Sequence, residues 1–232
     1  MYGPDSKEIE DTYLRLDKEI ARFLSFLDQE VGKEQYTLFL TADHAVASNP
    51  SYLQSKNINA GYFNKKKFEE YINAITVKYF NSDTIIEHIS NYQIFLNLEK
   101  IEALGLDYDV VAKTIKNKAL LFEGVYKTVT AETLQTTSFS KGILASLQNG
   151  YNQKHSGDIL IIPKPAYLYK KMKGTSHGSG YNYDTHVPLL FFGKGFEKGR
   201  TKKRVNITDI APTISNLLQI EFPNGCTGRI IE

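Results

Sequence analysis

An acid and an imidazole stand side by side at Asp43-His44, and a second imidazole, His177, lies far along the chain in Gly174-Thr-Ser-His-Gly-Ser-Gly180. Carboxylate oxygens and imidazole nitrogens are ligand types for a divalent metal. Neighbouring residues on a loop can both turn toward one ion, because an irregular backbone does not send successive side chains to opposite sides. The glycines around His177 let the backbone approach a ligand closely and take dihedrals that other residues avoid. Taken alone, each piece also fits a plainer use: an aspartate that caps the next turn, or a loop that only reverses the chain. A third histidine, His186, follows in Tyr183-Asp-Thr-His-Val-Pro188. His88 and His155 have no motif around them and read as ordinary histidines.

The elements that must position these groups are legible on both sides. Tyr36-Thr-Leu-Phe-Leu-Thr41 predicts a buried strand that ends at the acid–imidazole pair, the end where open α/β sheets place their chemistry. Ahead of it, residues 5–31 predict a helix. Ile9, Tyr13, Leu16, Ile20, Phe23, Leu27 and Val31 recur at spacings of three and four, while Glu10, Arg15, Asp17, Lys18 and Glu19 take the other face. Asp5 with Glu8 resembles a capping box, and Gly32 is the stop. Helix, turn and strand make half of a βαβ unit.

Downstream, Asp158-Ile-Leu-Ile-Ile162 and Leu189-Leu-Phe-Phe192 predict two more buried strands. A last helix, Ile210 to Leu218, is capped by Thr208-Asp209 and holds Pro212 in its tolerant first turn. Residues 50–155 have elements of their own: helical spacing at 64–80 and 107–118, a strand or hairpin at 84–97, and alternation from Val125 to Val129. The chain therefore reads as 1–49, the core helix and metal-site strand; 50–155, an insertion or cap; and 156–232, the C-terminal part of the core.

Composition narrows the function classes. With 232 residues, 41% hydrophobic and 23% charged, the chain can bury a sizeable core. A net charge of +2 from 28 basic and 26 acidic residues gives no field that argues for nucleic acid or a membrane surface. Lys65-Lys66-Lys67 is a solvated helix face. Cys226, the lone cysteine, makes no internal disulfide and no cysteine-rich zinc site. No stretch is apolar for long enough to cross a bilayer, and the first residues do not form a basic-then-apolar leader.

In combination, Gly3-Pro-Asp-Ser6, Tyr13-Leu-Arg-Leu-Asp17, Leu40-Thr-Ala-Asp-His44, Gly174-Thr-Ser-His-Gly178, Tyr183-Asp-Thr-His-Val-Pro188 and Val205-Asn-Ile-Thr-Asp-Ile-Ala-Pro-Thr213 resemble the alkaline phosphatase superfamily. Within it the chain is most similar to the secreted bacterial alkaline phosphatases of PafA type, relatives of the nucleotide pyrophosphatase/phosphodiesterases. The resemblance implies an α/β fold, a partial doubly wound sheet of the alkaline phosphatase type with an inserted cap-like region. It implies a hydrolase of phosphate monoesters that uses two zinc ions, exported to the periplasm or beyond the cell. Asp43 and His44 match the ligands of the zinc on the nucleophile side, and His177 matches a ligand of the other zinc. His186 is the runner-up for that role and is expected farther out, beside ligands or in packing, because the motif's glycine-flanked loop belongs to His177.

The resemblance also implies what this stretch does not carry. The family's Asp-x-x-x-His segment stands just before the Gly-Pro-x-Ser that opens the first helix, whereas here Met1-Tyr2 precede Gly3. The first aspartate ligand, the threonine or serine nucleophile and the side chains that grip phosphate lie earlier still. Ala45 replaces the family's glycine after Asp-His. The expectation is a C-terminal fragment whose partners are a phosphate ester substrate and the missing N-terminal part of the same protein, inactive on its own. A phosphodiesterase fragment and a non-catalytic metal-binding or interaction domain are the alternatives.

Overall fold

The structure, a computed structural model, describes residues 2–169 and 174–231. Helix α1 (Lys7–Leu27) runs into a short π-helical turn, Asp28–Gly32, and β1 (Thr37–Thr41) follows. Next come α2 (Pro50–Ser55), β2 (Gly61–Phe63), α3 (Lys65–Phe80), β3 (Ile86–Ser90), β4 (Gln93–Leu96), α4 (Leu98–Ala103), α5 (Tyr108–Ala119) and β5 (Val125–Thr130). The chain closes with α6 (Ala131–Thr136), α7 (Gly142–Gly150), β6 (Ile159–Pro163), β7 (Tyr167–Tyr169), α8 (Asn182–Thr185), β8 (Leu189–Gly193) and α9 (Ile210–Leu218). It divides into two compact units, Met1–Asp17 with Ala42–Pro188, and Lys18–Thr41 with Leu189–Glu232. Among the described residues no helix is long and apolar enough to cross a membrane.

The larger unit is built on an antiparallel sheet of order β3-β4-β6-β5. Strand β6, grouped from sequence with the C-terminal part of the core, is hydrogen-bonded to β4 and β5 of the middle region. Its continuous apolar run has a physical reason, since side chains alternate between the two faces of a sheet. Ile159 and Ile161 join a core with Phe68 and Ile72 of α3 and Val111 and Ile115 of α5, whereas Leu160 joins a second cluster with Val129 and Leu134. Both faces are thus covered, and all of β6 is buried. The alternation expected at β5 is broken by a bulge between Val125 and Lys127, which leaves Tyr126 and Lys127 both exposed.

Short parallel strands β2 and β7 bring Phe63 into an aromatic group, its ring 5.1 Å from Phe68, 5.4 Å from Tyr92 and 5.7 Å from both Phe122 and Tyr169. Asn64 caps α3 through the Lys67 N–H, and Asp107 caps α5 through the Val110 N–H. Burial in this unit raises the phenols of Tyr92, Tyr108 and Tyr169 above their usual value, and pushes Tyr181 up to about 12. For such groups the unfolded chain releases its protons first, near 10, while the native state still holds them. Stability is therefore fully present below pH 10 and falls as the pH rises toward 12. A urea midpoint that drops across that window is the expected result.

In the smaller unit, β1 and β8 pair antiparallel with Leu38 opposite Phe192 and Leu40 opposite Leu190. Both strands read as buried from sequence, but Leu190 and Phe192 are 58% and 51% exposed. The cause is that a two-stranded ribbon leaves each strand one bare edge and little to cover its faces. The stripe on α1 is present as expected, yet no residue of α1 is buried. Two caps also differ from expectation. Ser6, not Asp5, accepts the Ile9 N–H at 3.3 Å. At the other end Asn206 and Asp209 form a reciprocal box around the 3₁₀ turn Ile207–Asp209 that leads into α9. Asp209 turns its carboxylate to the Asn206 and Arg229 N–H groups because it is buried and must be satisfied there.

Phe23, Phe26, Phe39, Leu190 and Phe192 of this unit together expose much apolar surface. Such surface drives association in water. The purified chain is expected to show a sedimentation coefficient that climbs with concentration; a fixed monomer at all concentrations is the contrary result.

Candidate metal centre

The chain leaves β1 at Thr41 and reaches Asp43 and His44 two and three residues later, on an open loop. Asp43 Oδ1 accepts the His44 main-chain N–H at 3.0 Å, which orients the carboxylate. His44 Nδ1 lies 2.8 Å from the Ala45 carbonyl oxygen. A carbonyl only accepts, so Nδ1 carries a proton, and in the neutral ring Nε2 is then the nitrogen with the lone pair. Nε2 is 3.7 Å from Asp43 Oδ2, too long for a hydrogen bond. That span is close to the ~3.4 Å between two donors on one tetrahedral zinc with bonds of roughly 2.0–2.1 Å. The Asp43 side chain is 88% exposed, so folding alone gives it little reason to be held there.

His177 comes from the glycine-flanked loop and lies flat on His44, the ring centroids 3.4 Å apart and the planes 15° from parallel. An imidazole lone pair lies in the plane of its ring. Two near-parallel rings therefore address two adjacent points rather than one. Two-metal phosphohydrolases hold their ions about 3.5–4 Å apart, which is the scale of this stack. Among the described residues no three His, Cys, Asp or Glu side chains converge on a single ion position. A carboxylate and two imidazoles are donor types that fit a divalent metal, and fewer than the three or four ligands zinc takes come together at any one point among the described residues.

Side chains that the sequence reading did not single out bind the two loops together. Asn49 Nδ2 donates to the Gly174 carbonyl at 2.7 Å, and Thr175 Oγ1 donates to the Ala47 carbonyl at 2.5 Å. The Ala45 N–H donates to the Asp184 carbonyl at 2.9 Å. Asp184 Oδ2 accepts from both the N–H and the hydroxyl of Ser179, at 2.8 and 2.6 Å. Asp184 is only 3% exposed, and its Oδ1, also buried, has no hydrogen-bond partner among the described residues. Leaving such an oxygen unmade costs about 1–3 kcal/mol. Gly178, at φ +118°, sits where side-chain-bearing residues are strained, and so sets the turn that presents His177.

The signals for these residues were slight. Asn49 stands before Pro50, which reads as a turn, and it does cap α2 through the Ser51 and Tyr52 N–H groups. Asp184 lies inside the motif quoted for His186. His186 itself is exposed at the C-terminus of α8, its main-chain N–H on the Asn182 carbonyl. Among the described residues no ring stack or hydrogen bond joins its side chain to His44 or His177. His88 stacks on Phe95 in the β3–β4 hairpin, with centroids 4.1 Å apart.

Residues 1–187 match the family model described as type I phosphodiesterase / nucleotide pyrophosphatase. The chain is 42% identical to a Myroides odoratus protein named calcium-transporting ATPase, over 100% of this chain and 42% of that protein. It is 39% identical to alkaline phosphatase PafA of Elizabethkingia meningoseptica, over 99% of this chain and 42% of that protein. The crystal structure of wild-type alkaline phosphatase PafA superposes with a TM-score of 0.92 at 38% identity, covering 98% of this chain and 44% of that one. The likeness shows an α/β fold with the partial sheet of the alkaline phosphatase type. The chain spans less than half the length of these relatives.

Proposed function

The chain belongs to the type I phosphodiesterase / nucleotide pyrophosphatase family, and from that premise we propose that it is the C-terminal part of a zinc-dependent phosphate monoester hydrolase, an alkaline phosphatase. The observation that carries this reading is the stack of His177 on His44 beside Asp43. It supports a pair of ions better than one. The name of PafA supports phosphatase, whereas the Myroides odoratus relative is named for a different activity.

Asp43 and His44 would hold the ion on the nucleophile side, and His177 would contribute to the ion on the leaving-group side. When bound, the pair supplies positive charge to the attacking and departing oxygens of an in-line displacement. The carbonyl of Ala45 keeps the His44 proton on Nδ1, so Nε2 stays free to coordinate. His186 serves as an outer residue of the same region. The nucleophile and the remaining ligands belong to the part of the protein that this chain does not span, and the whole protein works in the periplasm or outside the cell. On that basis the chain by itself does not hydrolyse p-nitrophenyl phosphate even with added zinc, since phosphoryl transfer without a nucleophile loses its covalent step.

The family model also describes phosphodiesterases, which makes a diester substrate the second reading. The protein extended to the length of its relatives separates the two. The expected result is faster turnover of p-nitrophenyl phosphate than of bis-p-nitrophenyl phosphate, abolished by chelator and restored by zinc. Preference for the diester favours the second reading, and turnover indifferent to chelator contradicts both.

A further inference from the structure

We propose that Asp184 is a positioning residue: its buried carboxylate, through Ser179, and its main-chain carbonyl, through Ala45, set the stack of His177 on His44 without touching a metal. The first link runs from Oδ2 to the Ser179 N–H and hydroxyl, two residues beyond His177. The second runs from the Asp184 carbonyl to the Ala45 N–H, one residue beyond His44. One residue thus holds both loops next to their imidazoles. Main-chain geometry ties Asp184 in turn to α8, where its N–H donates to the Tyr181 carbonyl.

Two features argue that this is more than ordinary packing. Ser179 spends both of its donors on the same oxygen, so the turn after Gly178 is held by charge-assisted bonds. The other oxygen stays buried without a partner among the described residues, so the carboxylate is not kept for full satisfaction of its own bonds. A shift of either loop would separate rings whose centroids are 3.4 Å apart.

The test has two arms, because only the metal arm rests on the proposed function. In the metal-free chain with labelled histidines, nuclear Overhauser contacts between the His44 and His177 rings report the stack directly. Asp184→Ala is expected to abolish them. Asp184→Asn, which keeps an acceptor oxygen for Ser179, is expected to preserve them. In the second arm, on the protein extended to the length of its relatives, cobalt(II) binding followed by its visible absorption weakens about 10–100-fold in Asp184→Ala, the usual penalty for removing a partner behind the ligands, and recovers in Asp184→Asn. If Asp184→Ala fails to fold, Ser179→Ala, which deletes the 2.6 Å bond to Asp184 and the long 3.4 Å contact from the Tyr181 N–H while keeping the Ser179 N–H bond, is expected to weaken the ring contacts in the same direction. Intact ring contacts in the folded Asp184→Ala or in Ser179→Ala overturn the proposal. An extended wild-type protein that keeps the ring contacts but takes up no cobalt speaks against the metal reading alone.

Discussion

In the protein extended to the length of its relatives, His177→Ala lowers turnover of p-nitrophenyl phosphate by about 10²–10³-fold, the scale seen when one group that stabilises transition-state charge is removed. The imidazole is exposed, and on the proposed reading it would be one of the donors for the leaving-group ion, so its loss would fall on charge stabilisation. With metal removed by chelator, the thermal midpoint of the variant should stay near wild type, since substitutions at exposed positions shift stability by roughly 0.5 kcal/mol or less. His44→Ala should act in the same direction. Full activity in either variant would remove the stacked pair from the mechanism.

Phe68→Ala has the largest expected effect on stability, a loss of about 3–5 kcal/mol. Phe68 is fully buried, its ring 5.1 Å from Phe63 and 5.0 Å from Phe122. Truncation removes transfer energy and leaves a cavity among aromatic rings that cannot collapse inward without breaking their edge contacts. Against the roughly 5–15 kcal/mol that holds a typical domain together, that is a large share. The exposed Val110→Ala, on α5, is the matched control and should shift the urea midpoint little. Equal shifts in the two variants would mean that the aromatic group is not the core of the larger unit.

Periodicity made the long elements legible. The spacing of Phe68, Ile72 and Ile75 marked α3, and Asp107 marked the start of α5, because these signals are local and repeat every turn. Coverage was not legible. The stripe on α1 and the apolar runs at β1 and β8 read as buried, yet what lies over a face is a tertiary fact that no window of sequence contains. Strand β6 reads correctly as buried, but its split between two clusters needed the sheet order. At the site, the ligand types at Asp43, His44 and His177 stood out by chemistry. The bonds that align them did not, since Asn49 reaches Gly174 and Thr175 reaches Ala47 across more than a hundred residues. Asp184 was visible only as a letter in a motif, because its role depends on burial and on a partner five residues back, Ser179.

Anomalous diffraction at the zinc edge, from crystals of the full-length protein, bears most directly on the idea that one fold aims two parallel imidazoles at two neighbouring ions. Two peaks about 3.5–4 Å apart are expected, one against Asp43 and His44 and the other against His177. A single peak shared by both rings, or none near either, would contradict it.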